Sequence, residues 1–545
     1  MKNAKHVLAI LLVAAMVVSL LAGCGSSTKE PAGQPAAPQE TKQSAADMAA
    51  GATAAPTPPP ADTAEKLADA IDVVVDNNPI TNLDPAVPAS QSPGTYWALI
   101  MTHDTLVTSA GNGNYDPNIA TEWSTEDFKT YNFKLRDDIV FDNGEKLTAD
   151  DVVFTCERAL NAPGSPAAGQ WASVETIKAL GDYEVEMVLK NVNVNFLFNM
   201  SNIMTCILNR KAAEADTERG PWVGTGPFKV DDFLSGDHVT MVRSDSYRGD
   251  PAPTREITLR YVPETSTRTI MMQNNECQLS FGIGNDDASM FQQDDNYVVI
   301  PELANNPQGL QFNLDDPIVG DINFRKAFIY GIDREEIAVI ARGDWADPPS
   351  DGTIWGYETE FRNNDIPLIP YDPDKAAEFL AQSVYNGETI EIAVGNPTNV
   401  LAAETIQRQL EQIGIKIEVK NMDTASLNAY NAYGNNQSMI SAASFGFNMS
   451  ATSVNNLYLP GGSNNRSQYN NDKVTELLNQ AMVEGDVTKR GELYKQVQEQ
   501  VAEDLPGVQL LWLVLNVVAN KNLGGWVIPS DTYAVDLRGL YLIEE

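Results

Sequence analysis

The sequence predicts an α/β protein, and three stretches carry that reading. Residues 388–420 run "ETIEIAVG", "NVLAAETIQRQLEQIG" and "IKIEVK" with only a short break. A strand is followed by a helix whose Ile406, Leu410 and Ile413 share one face; Gly414 stops it, and a second strand follows. That is a βαβ unit with parallel strands. "TYNFKLR" alternates Tyr131, Phe133 and Leu135 with polar residues, the period of a half-buried strand. "LTADDVVFTCERAL" places Thr148 and Asp151 at capping-box spacing, and Val152, Cys156 and Ala159 then recur at helical intervals.

Taken in chain order, the N-terminus comes first. Lys2 and Lys5 precede "VLAILLVAAMVVSLLAG", an apolar run of 17 residues from Val7 to Gly23. This is the plan of a signal peptide over 1–23, short for a membrane span and lacking a basic stop-transfer cluster. "LAGC" resembles the bacterial lipobox, in which a peptidase cuts before the cysteine and Cys24 receives its acyl chains. Residues 24–70 then form a lipidated cysteine and a tether. "PAGQPAAPQE" and "ATAAPTPPPADT" offer few large apolar groups to bury, so this stretch is expected to be disordered.

Beyond the tether the strand and helix signals continue. "VGTGPF" (Val223 to Phe228) looks faintly like a phosphate loop but lacks the Lys-Ser/Thr ending, and it reads as a tight turn into a strand. "DKVTELLNQAMV" and "GELYKQVQEQVAEDL" are amphipathic helices near the C-terminus. No internal repeat is visible.

Charge and chemistry narrow the function. The formal net charge is -37, and loss of residues 1–23, which carry two lysines and no acid, takes it to -39. Such a surface repels phosphate backbones, so no nucleic-acid partner is expected. There is no G-x-S-x-G, no H-E-x-x-H and no G-x-x-x-x-G-K-[ST] motif. His103 and His238 read as structural or surface groups. With Cys24 lipidated, Cys156, Cys206 and Cys277 remain, so at least one stays free or pairs with another chain. No cofactor and no metal site are expected.

Several blocks, in order, resemble the peptide/nickel family (family 5) of bacterial solute-binding lipoproteins that serve ABC importers. They are "NLDPA" (Asn82 to Ala86), "IATEWSTEDFKTYNFKLRDDIVFDNGEKLTADDVVFTCERAL" (Ile119 to Leu160), "VGTGPFKV" (Val223 to Val230), "LQFNLDDPIVGDINFRKAFIYGIDREEI" (Leu310 to Ile337), "YDPDKAAEFL" (Tyr371 to Leu380) and "YNNDKVTELLNQA" (Tyr469 to Ala481). The resemblance implies a two-lobed, periplasmic-binding-protein-like (type II) clamshell with an additional domain. Lobe I would comprise 71–112, 207–309 and 510–545, the additional domain 113–206, and lobe II 310–509. It further implies a non-enzymatic, monomeric receptor, lipid-anchored on the extracytoplasmic face of the cell membrane. Such a receptor encloses a peptide between its lobes and passes it to an ABC permease and its ATPase subunits.

The same resemblance nominates ligand contacts. Ala89, Ser90 and Gln91 follow the "LDP" turn, and Asn313 closes the "LQFN" block. Trp345, Trp355 and Tyr357 lie in a loop the family folds over the cleft, with lobe packing an equal reading for the tryptophans. In "SFGFNMSATSVNNLY" (Ser444 to Tyr458), Phe445, Phe447, Asn448 and Ser450 are the candidates. Gly446 and Phe447 match the family's glycine and aromatic, whereas Ser450 stands where peptide-binding relatives have an aspartate for the ligand's α-ammonium group. Serine cannot neutralise that charge. Two alternatives stay open: a non-peptide or modified ligand such as an oligosaccharide, and an exported hydrolase acting through paired carboxylates.

Overall fold

The computed structural model describes residues 67–75, 79–90, 92–111, 113–352, 361–395, 397–431, 439–444, 451–527 and 535–544. Among them, ten strands make one mixed sheet. In chain order these are β1 (Ala70–Val75), β2 (Phe228–Leu234), β3 (His238–Arg243), β4 (Glu256–Tyr261), β5 (Leu279–Ile283), β6 (Tyr297–Phe312), β7 (Thr389–Val394), β8 (Lys416–Asn421), β9 (Ile440–Ser444) and β10 (Gly507–Asn520). Their spatial order is β8-β7-β9-β6-β10-β5-β1-β4-β3-β2.

β6 and β10 organise this sheet. They are 16 and 14 residues long, and they pair antiparallel from Tyr297 opposite Asn520 to Gln311 opposite Gly507. Each is long enough to serve two sheets at once. One end joins β5 and β1; the other joins β9 and β7. Two separate cores follow. Val73, Leu259, Phe281 and Val517 pack in one, and Phe312, Ile392, Leu410 and Ile440 in the other. A satellite of Tyr458, Tyr469, Leu478 and Tyr494 adjoins the second. Burying each such side chain contributes roughly 1.5–3 kcal/mol.

The pairing of β6 with β10 is irregular in its middle. Register shifts occur between Ala304 and Pro307 and again between Gln308 and Gly309. Proline has no N–H to give to a ladder, so Pro307 belongs at such a break. The two cores are therefore joined by two strands whose hydrogen-bond ladder is interrupted between them.

The βαβ unit forms as expected. β7 and β8 run parallel from Thr389 opposite Lys416 to Val394 opposite Asn421, and the helix Pro397–Glu411 connects them. Gly414 has φ +90°, a conformation that costs L-residues about 1–2 kcal/mol.

A further four-stranded antiparallel sheet comprises 120–124, 130–135, 184–189 and 174–181. Tyr131, Phe133 and Leu135 point into its core. The helix Ala149–Asn161 contributes Val152, Cys156 and Ala159 to the same core. Its capping box is present: the Asp151 carboxylate accepts from Thr148 N at 2.9 Å and from Thr148 Oγ1 at 3.1 Å. The three described cysteines, Cys156, Cys206 and Cys277, are all buried and free.

Candidate functional site

Strand direction locates the site. In the β9–β6 pairing, Ser444 sits opposite Gln308 and Ile440 opposite Phe312. β9 therefore runs toward the middle of β6, and β7 and β8, parallel to it, do the same. On the other side, Leu279 of β5 pairs with Ala519 and Ile283 with Asn516, so β5 also runs toward the middle of β10. β1 and β4 are parallel to β5. The carboxyl ends of six strands, three from each core, thus converge on the irregular middle of β6 and β10. In open α/β sheets, ligands bind outside the carboxyl ends of the strands, because the loops that follow them are free of ladder duty. This marks the candidate cleft.

The turn after β1 is held rigidly. Asn82 Oδ1 accepts from Asp84 N at 2.7 Å, and Asp84 Oδ1 accepts from Ala86 N at 3.0 Å. Arg158, on the helix Ala149–Asn161, donates Nη1 to Asp84 Oδ1 at 2.7 Å and Nη2 to Oδ2. This is why "NLDPA" and "CERAL" belong to one device: a bidentate pair clamps the cleft turn onto the four-stranded domain. Ser92 then caps the helix Pro93–Thr102.

Of the nominated residues, Ala89 and Ser90 lie in the 3₁₀ turn Pro88–Ser90. Ser90 is fully buried and its hydroxyl donates to Val87 O at 2.7 Å, so its hydroxyl proton is committed to the turn. Trp345 is 8% exposed and packs among Val74, Ile283, Phe291 and Val518, with its indole N–H donating to Asn285 O at 3.1 Å. For this tryptophan, packing is the arrangement found. Asn313 follows Phe312 at the end of β6 farthest from the register break, where its Oδ1 accepts from Asp315 N in an Asx turn and its N–H donates to Met439 O. Gln91, Trp355, Tyr357, Phe445, Phe447, Asn448 and Ser450 lie outside the described residues, as does Cys24.

Three polar residues near the convergence escaped sequence reasoning. Asn516 on β10 donates to Asn285 Oδ1 at 2.9 Å, and Asn285 donates to Arg342 O at 2.8 Å. This chain of amides ties the segment carrying Trp345 to the β5 end. Arg466 donates to Ala442 O of β9 at 2.8 Å, and burial lowers its pKa. No local motif announces these residues, since each bonds to a partner distant in sequence.

The histidines are engaged elsewhere. His103 is buried, with ring nitrogens at 2.8 Å from Thr102 Oγ1 and 3.1 Å from Pro221 O. His238 opens β3 between Asp237 at 2.6 Å and Asp232 at 3.2 Å.

Residues 114–466 match the family model described as bacterial extracellular solute-binding proteins, family 5 Middle. The chain belongs to this family. It is 25% identical over 460 residues to the heme-binding protein A of Haemophilus influenzae, covering 76% of this chain and 82% of that protein. It is likewise 25% identical over 454 residues to the dipeptide-binding protein of Escherichia coli, covering 76% and 83%. Among solved structures, the ABC transporter substrate-binding protein CtaP of Listeria monocytogenes superposes with a TM-score of 0.76 at 22% identity, over 88% of this chain and all of the other. The fold is the two-lobed, type II fold of these proteins, and this family 5 protein is a solute-binding protein.

Proposed function

We propose that the chain is the receptor of an ABC importer: it captures oligopeptides between its lobes and delivers them to a permease, held at the outer face of the membrane by lipid on Cys24. The observation that supports this reading is the convergence of strand ends from both cores on the interrupted middle of β6 and β10, an arrangement suited to a hinge with a binding crevice on it. The loops beyond β1 and β9, carrying Ala89, Gln91, Phe445, Phe447, Asn448 and Ser450, would line that crevice, with Trp355 and Tyr357 over it. Lobe I is assigned to 71–112, 207–309 and 510–545, the additional domain to 113–206, and lobe II to 310–509.

Peptide is preferred over heme or a nickel chelate for two reasons. Relatives that bind a dipeptide and glutathione are matched at 25% and 26% identity, so peptide-type ligands recur among the similar proteins. Both histidines of the described body are bonded away from the strand ends, so protein imidazole is not on offer there. A second reading follows from Phe445 to Asn456, which contains no aspartate: the ligand would then lack a free α-amine.

A thermal-shift series tests both, because a ligand selective for the native state raises its midpoint. Short free peptides should raise Tm, whereas disaccharides and nickel-histidine should not. A disaccharide response without any peptide response overturns the substrate class. If N-acetylated peptides act and free ones do not, the second reading holds, and Ser450→Asp should restore the response to free amines. Cys24→Ser should move the protein from the membrane to the soluble fraction of cells; retention on the membrane contradicts the anchor.

A further inference from the structure

A second site lies in lobe II, away from the cleft. The helix Arg334–Arg342 begins at Arg334, and beside it is a cavity of about 50 Å³ lined by Arg334, Asp351, Gly352, Ile366, Leu505 and Gln509. Gly507, which also borders it, pairs with Gln311 at the end of β6 distant from the register break.

The neighbouring charges are spoken for, but that of Arg334 is not. The N-cap Asp333 accepts from Glu336 N at 3.1 Å. Glu336 is bound by Arg408 at 2.9 Å and by Gln409 at 2.7 Å. Asp351, on the cavity wall, is paired with Arg362 at 2.6 Å. Arg334 makes no ion pair and no hydrogen bond among the described residues, and its Nε is sealed from solvent without a partner. Part of the residue still reaches solvent. Burial lowers the guanidinium to about 10, still far above neutrality, so it stays charged. The partial positive charge of a helix N-terminus adds to it. A buried cation without a partner costs several kcal/mol, and the cavity has room for roughly three water-sized bodies.

We propose that this cavity binds one small monovalent anion, halide or formate in size, on the Arg334 guanidinium. The anion would join the helix Arg334–Arg342, the segment at Asp351–Gly352 and the start of β10. This site is independent of the peptide cleft, and its test leaves the peptide reading untouched.

The test is a melting series at fixed ionic strength in which gluconate, too large for the cavity, is replaced stepwise by chloride, and separately by formate. Wild type should show a saturable rise of about 1–2 °C with each. Arg334→Met and Arg334→Gln should melt identically in all three salts. Equal melting of wild type in gluconate and chloride would overturn the site and leave a water-filled cavity. So would an anion response that survives in the folded variants.

Discussion

Single residues carry consequences that can be measured. Asp84 keeps only 3% of its side chain exposed beside Arg158. Removing the cation strands a buried carboxylate, so Arg158→Met should cost about 3–5 kcal/mol in urea unfolding. Arg210→Gln, which breaks the exposed pair with Glu214, should leave the midpoint unchanged. An equal effect of the two would refute the clamp. His103 is the other case: burial lowers its pKa from 6.5 to about 4. Between those values the unfolded chain binds the proton and the folded chain does not, so stability falls as pH drops through this window and is unaffected above it. By pH 5 the loss from this group is about 2 kcal/mol. His103→Gln should flatten the stability profile from pH 7 to 5 by that amount. At this scale the sequence was readable where chemistry is local, as in the capping box of Thr148 and Asp151; the pairing of Asp84 with Arg158, 74 residues apart, was not. Nor was that of Asn285 and Asn516, which find each other across 231 residues.

At the scale of elements, the short periodic ones were legible and the two most consequential were not. "TYNFKLR", the capped helix and the βαβ unit all occur where their patterns place them. β6 has no such pattern. It contains Pro301 and Pro307, residues that argue against a strand, and it persists because β10 pairs with it along nearly its whole length. Long-range pairing outweighs local propensity there. The "VGTGPF" turn also gains a reason. A Cβ on Gly224 would stand 1.9 Å from Thr102 O, and one on Gly226 2.5 Å from Met101 O, so both glycines admit the end of the helix Pro93–Thr102. Gly224→Ala should therefore cost about 3 kcal/mol, since backbone must move. Gly414→Ala meets nothing within 4 Å and should cost only about 1 kcal/mol of φ strain. The order of the two in denaturant unfolding checks both readings.

For the whole molecule, the resemblance of ordered blocks predicted the two-lobed fold, and the structure adds what joins the lobes. Two interrupted strands, the amide chain through Asn285 and the packing of Trp345 against Val74 and Val518 link the two cores. The pocket itself was less legible. Ser90 and Trp345 are bonded into turn and core, and Asn313 lies at the end of its strand away from the register break, because residue type does not reveal at which end of a strand a residue sits. A net charge of -37 marks the surface as acidic without naming the ligand. Hinge closure on a peptide is readable by small-angle scattering during a peptide titration. The radius of gyration should fall saturably over the same peptide concentrations that raise Tm. A rise in Tm with no compaction, or compaction by a disaccharide and by no peptide, would contradict it.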